Sequence, residues 1–144
     1  METSNTTFVH FLSRVPLFRQ IEQVHLKQIA DVMNEQRFEA GSTILHQGDA
    51  GKGLYLLLEG RAVVQRRDSD GNVREVDVLE PFDFFGELSL LDSEPITASI
   101  VTHAPCLCLV LPKALFLEKL RAAPEMAVGM LLELASRHRR IVSQ

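Results

Sequence analysis

Cysteine is scarce in this chain: Cys106 and Cys108 are the two among 144 residues. They stand two apart in CLCLVL, so both fall on one face of a strand, where a disulfide between them is sterically poor. A metal would need further ligands. The five histidines, His10, His25, His46, His103 and His138, are scattered without ligand spacing, which leaves the thiols as buried packing groups. Positive charge is also short. Fifteen Lys and Arg against 19 Asp and Glu give a formal charge of −4, which argues against a protein that coats nucleic acid. No apolar run approaches the roughly 20 residues that span a membrane, and the opening METSNTT has neither the charged nor the apolar region of a signal peptide. A cytoplasmic setting is therefore expected. Internal repeats and low-complexity segments are missing, and so are a G-x-S-x-G elbow, a P-loop and paired carboxylates on a catalytic scaffold. Cys106 as a nucleophile would want a nearby base and an exposed electropositive site, and CLCLVL argues for the opposite. Neither an enzyme nor a cofactor is expected.

The composition, 46% hydrophobic and 24% charged, is that of an ordinary globular chain, and residues 1–144 are expected to form one folded unit. Phe8, Phe11, Leu12 and Val15 recur at helical spacing before Pro16, and Ile21, Val24, Ile29 and Met33 mark a second helix, so helices are predicted over about 8–33. Short β runs punctuated by glycines follow over about 34–111. LYLLLEG and RAVVQRR are read as a hairpin meeting at Gly60, and Asp70-Gly71 as the turn of a second hairpin. In VREVDVL, Val76 and Val78 alternate with Glu75 and Asp77, as on a sheet with one face buried. TASIVT and CLCLVL add two more strands. Many short strands at regular spacing predict a sandwich or barrel. Helices are predicted again over about 112–142, from Pro112 and after Pro124. In the last, Met126, Met130 and Leu134 form one stripe and Leu131, Ala135 and His138 another, so it packs on the barrel, covers a ligand or pairs with a second copy. Its basic end, Arg137 to Arg140, complements the helix C-terminus.

The chain is organised around FFGELSLLDSEPITAS, Phe84 to Ser99. This reads as an aromatic strand end, a glycine that lets the backbone turn or be approached closely, and one short helical turn with Leu88, Leu90 and Leu91. Its first amides favour an anion and Glu87 can accept hydrogen bonds from a polyol, which together make a cradle for a phosphorylated sugar.

Together with GSTILHQGDAGKGLYLLLEGRAVV (Gly41 to Val64), PFDFFGELSLL (Pro81 to Leu91) and EPITASI (Glu94 to Ile100), this stretch resembles the cyclic nucleotide-binding domain of the protein kinase A regulatory subunit, the catabolite activator protein and certain ion channels. The resemblance runs from about Leu17 to Arg140. It implies an eight-stranded double-sheet jelly roll, mainly β, flanked by N-terminal helices that shift when the ligand, cAMP or cGMP, binds and by C-terminal helices of which the last is a lid or a dimer helix. A metal-dependent enzyme on the same roll would need clustered histidines and a carboxylate, and His46 and His103 lack the H-x-H arrangement. Carried over by position, Glu87 and the Gly86 amide hold the ribose 2′-hydroxyl, Ser89 and Thr97 meet the cyclic phosphate, and Leu88, Ile96 and Ala98 complete the site. Two positions depart from the pattern. Ile96, nine residues after Glu87, stands where the family has arginine, and Phe82 stands where it usually has glycine. Loss of that arginine removes a charge-assisted hydrogen bond of about 1.5 to 3 kcal/mol, or roughly tenfold to a hundredfold in affinity. The expected function is a non-catalytic regulatory domain that couples pocket occupancy to its flanking helices. The alternative is a degenerate relative that binds a partner, or another small ligand in a more apolar pocket.

Overall fold

A computed structural model describes residues 5–19 and 21–143. They divide into a helical unit, residues 1–32 with 117–144, and a β unit, residues 33–116.

The β unit is built from eight strands: β1 (Asn34–Phe38), β2 (Thr43–Leu45), β3 (Gly53–Glu59), β4 (Ala62–Arg67), β5 (Val73–Leu79), β6 (Phe84–Phe85), β7 (Ser99–Thr102) and β8 (Cys106–Pro112). They form two four-stranded antiparallel sheets, β1-β8-β3-β6 and β2-β7-β4-β5, the double-sheet jelly roll anticipated above. Apolar residues at every second position face inward. Leu45, Tyr55, Leu57, Ala62, Phe85, Ile100, Cys106, Cys108 and Val110 make a continuous core, within which Tyr55 and Phe85 stack at 5.1 Å. Both cysteines are free and buried there. Burial, with the neighbouring Cys106 adding to it, pushes the Cys108 thiol up to about 12, so it stays protonated and chemically quiet.

Two strand expectations need correction. β3 and β4 do not pair across Gly60: β3 lies between β8 and β6, and β4 between β7 and β5. The chain turns a corner from one sheet to the other, with Gly60 at φ 100° and so close to Pro105 and Cys106 that a Cβ would strike the Pro105 carbonyl. β5 is the second correction. Val76 and Val78 are 41% and 36% exposed, because β5 is an edge strand bonded only to β4, and its alternation marks no buried face. Leu79 alone of its residues is buried. The Asp70-Gly71 turn does close the β4–β5 hairpin, with Gly71 at φ 85°.

The helical unit contains α1 (Asn5–Ser13), a 3-10 turn (Pro16–Phe18) absent from the sequence reading, α2 (Gln23–Val32) and α5 (Pro124–Val142). The side chain of Phe8 lies outside the described residues. Leu12, Val15, Phe18, Ile29 and Met126 are fully buried. α5 runs against the 3-10 turn so closely that a Cβ on Gly129 would overlap the Leu17 carbonyl oxygen. His25 Nδ1 and Glu125 Oε2 join α2 to α5 at 3.3 Å. The free amide at the start of α5 and the His25 side chain hold the Glu125 carboxyl below its usual range. α4 (Lys113–Ala122) begins one residue after Pro112, which ends β8 rather than opening the helix.

Candidate functional site

The cassette starts where the chain leaves β6. Phe82 adopts φ 79° in the turn before it, and the backbone is held there by Phe82 N–H to Leu57 O at 2.7 Å and Leu57 N–H to Asp83 O at 3.0 Å. The tight turn therefore forms without the glycine. Gly86 follows at φ 89°, and a Cβ on it would come within 2.6 Å of the Gly53 carbonyl oxygen, so only glycine fits.

Glu87 opens α3 (Leu88–Asp92), a single turn that ends at Ser93 in the left-handed region, φ 61°. The Leu90 and Leu91 amides donate to the Glu87 carbonyl at 3.1 and 3.0 Å. The side chains then part by environment. Glu87 and Ser89 are buried, at 4% and 8% exposure, while Leu88 is half exposed. No buried side-chain nitrogen or oxygen among the described residues lacks a hydrogen-bond partner. Ser89 packs on the loop before β3, where a Cβ on Gly51 would lie 2.9 Å from its own.

Ile96 takes the opposite course from a ligand-facing cation. It is 7% exposed and belongs to the sandwich core with Ile44, Leu45, Tyr55 and Ile100. Its backbone is fixed on both sides, its N–H donating to Asp49 O and its carbonyl accepting from Gly48 N–H, each at 2.8 Å. Thr97 beyond it is exposed and Ala98 half-buried. The predicted residues thus form two short runs with different characters: a buried acid and hydroxyl at 87 and 89, and an apolar anchor at 96.

A feature missed in the sequence lies one residue past Ala98. A cleft of about 350 Å³ is lined by His46, Gln47, Gly48, Gln65, Arg67, Val73 and Ser99. Gln47 holds it together: its side-chain amide donates to Arg67 O at 2.9 Å and accepts from Arg67 N–H at 2.7 Å, and its backbone N–H donates to Ser99 Oγ at 2.9 Å. The doubled arginine at the end of RAVVQRR was the available signal. Among the described residues no group of three or more His, Cys, Asp or Glu could hold a metal ion, and no helix is long and apolar enough to cross a membrane.

Comparison with known proteins agrees with this architecture. The family profile described as cyclic nucleotide-binding domain matches residues 35–123. Over 109 residues the chain is 35% identical to a cAMP-dependent protein kinase regulatory subunit of Mucor circinelloides f. lusitanicus, covering 76% of this chain and 25% of that protein. The fold is also that of the regulatory subunit of a cAMP-independent protein kinase A from Trypanosoma cruzi bound to guanosine, with a TM-score of 0.82, 26% identity and coverage of 96% of this chain and 49% of that one. A mutant of the corresponding Trypanosoma brucei subunit, carrying three substitutions of which one replaces threonine by arginine, is bound to cAMP in its A site. It matches with a TM-score of 0.78, 28% identity and coverage of 93% and 46%.

Proposed function

Because the chain belongs to the cyclic nucleotide-binding domain family, we propose that it is a non-catalytic regulatory module whose cassette takes a nucleoside-type ligand by its sugar rather than by a phosphate. The carrying observation is Ile96. At the position where the family places a cation, this chain has an apolar side chain packed into the sandwich core. A bound cyclic phosphate would lose a charge-assisted hydrogen bond of about 1.5 to 3 kcal/mol there, whereas a neutral sugar loses nothing. Glu87 supports the other half of the reading. A buried carboxylate beside a glycine amide is a suitable acceptor for a ribose hydroxyl. The guanosine-bound relative, and the cAMP-bound relative into which an arginine was introduced, support the same division of labour.

Ligand occupancy in this proposal biases the position of the flanking helices, by differing affinity for their alternative arrangements. The output passes to a partner, with α5 of a second copy as one candidate.

Calorimetry with guanosine, cAMP and cGMP tests it. Saturable guanosine binding, with either cyclic nucleotide at least about tenfold weaker, is the expected result. Tighter binding of a cyclic nucleotide than of the nucleoside would overturn the selection for a neutral ligand. Binding of none of the three favours the second reading, a partner-binding module whose pocket is filled by Ile96.

A further inference from the structure

Arg66 on β4 and Arg74 on β5 are direct cross-strand partners. Opposed side chains on an antiparallel pair have Cβ atoms about 5 Å apart, and like charges so placed repel. The arrangement is unexpected in a chain with more carboxylates than cations. The two line a cleft of about 300 Å³ with Asp68 and Asn72, and Arg67, whose side chain leaves the opposite face of β4, borders it as well. None of the three side chains makes an ion pair or a hydrogen bond among the described residues.

The nearby acids do not relieve this. Asp68 Oδ1 is committed to the turn, accepting from Asp70 N–H at 2.9 Å and Asn72 N–H at 3.0 Å. Asp77 lies farther along β5, opposite Val64, and its Oδ1 accepts from Val78 N–H at 2.8 Å. Glu75 stands opposite Gln65, next along the ladder. The backbone beneath the cleft is fixed as well, by the Gln47 amide on both polar groups of Arg67 and by Asp68 N–H to Asn72 O at 3.0 Å. The Arg66 and Arg74 guanidinium forks, side by side on one face of a held backbone, present paired donors with no acceptor.

We infer that the turn end of the β4–β5 hairpin is a second ligand site, separate from the cassette, that takes the phosphate group of a small soluble molecule. Guanidinium donors match phosphate oxygens in paired geometry, and a bound dianion turns the Arg66–Arg74 repulsion into attraction to a shared centre. The cleft volume lies at the small end of the range for small-molecule sites and does not accommodate a helix or a duplex.

The test is an amide chemical-shift titration of the full chain with inorganic pyrophosphate at low ionic strength. Saturable shifts are expected at Arg66, Arg67, Asn72 and Arg74. Binding should weaken by about tenfold or more in the Arg66→Gln, Arg74→Gln double variant and remain unchanged in Glu87→Ala. Because these arginines are exposed, the double variant should fold. Without pyrophosphate at low salt it should melt above the wild type, and with pyrophosphate only the wild type should gain. Absence of saturable shifts, equal affinity in the double variant, or cosedimentation with phosphatidylserine vesicles that pyrophosphate does not compete would each overturn the assignment. Failure of guanosine to bind the cassette leaves these outcomes untouched, so the two proposals fail separately.

Discussion

Ile96 packs into the sandwich core at the position the proposed reading makes decisive for the ligand, so one substitution tests two properties. A guanidinium placed there must enter the core formed by Ile44, Leu45, Tyr55 and Ile100, where an unpaired charge is costly. Ile96→Arg should therefore lower stability by about 2 to 4 kcal/mol without ligand. The same side chain supplies the missing phosphate partner, so saturating cAMP should restore part of the melting temperature in the variant and do little for the wild type. An unchanged melt without ligand would show that Ile96 contributes nothing to the core. Phe82 offers a second test. Its φ of 79° is strained for any residue with a Cβ, yet the chain keeps the turn through the hydrogen bonds to Leu57. At ordinary sites alanine is more stable than glycine. Here the order should invert, with Phe82→Gly more stable than Phe82→Ala by about 1 kcal/mol in urea unfolding, since both lose the ring and only alanine retains the strain. The GE pair and its offset to position 96 were legible because they are local in sequence. Whether position 96 faced a ligand or the core was not, since an isoleucine suits either place until the opposing sheet is known.

At the scale of elements, periodicity located most helices and strands and failed where pairing decides. The Gly60 turn looks like a hairpin because hydrophobic runs flank a glycine, but the pairing of β3 with β8 and β6 is set by residues about 25 to 60 positions away, out of reach of local turn chemistry. β5 misled in the opposite sense. Its alternating valines satisfy the rule for a half-buried strand while lying on an edge strand at 41% and 36% exposure. The 3-10 turn at Pro16–Phe18 is too short to carry a period, although it seats α5. That seat gives a prediction. Gly129→Ala would gain up to about 1 kcal/mol of helix propensity in isolation. In the folded protein the new methyl meets the Leu17 carbonyl oxygen, a backbone atom that cannot swing aside, and the net effect should be destabilisation by about 1 to 3 kcal/mol. A thermal melt at or above the wild-type value would show that the two segments are not held this close.

For the molecule as a whole, the exposed apolar face of α5 carries the prediction. Met126 and Met130 are buried on one side, while Val128, Leu131, Leu132, Ile141 and Val142 are each more than half exposed. Val128, Leu131, Ala135, His138 and Val142 recur at alternating spacings of three and four, the seam that lets two helices wrap on one another. The long apolar face is interrupted only by His138, and Arg137, Arg139 and Arg140 flank that position. A two-fold pairing would bring these basic ends together in a parallel arrangement and separate them in an antiparallel one, so charge favours the antiparallel pair. The expected behaviour is a dimer whose sedimentation coefficient falls on dilution. Leu131→Glu, which puts a carboxylate on the seam at a site 67% exposed in the single chain, should yield a monomer whose own fold is undisturbed. Salt separates the two arrangements. Raising ionic strength should strengthen a parallel dimer by screening like charges and leave an antiparallel one nearly unchanged. A wild-type chain that stays monomeric at about 100 μM, a concentration at which even a modest interface with a Kd in the micromolar range is populated, would remove α5 as the dimer helix.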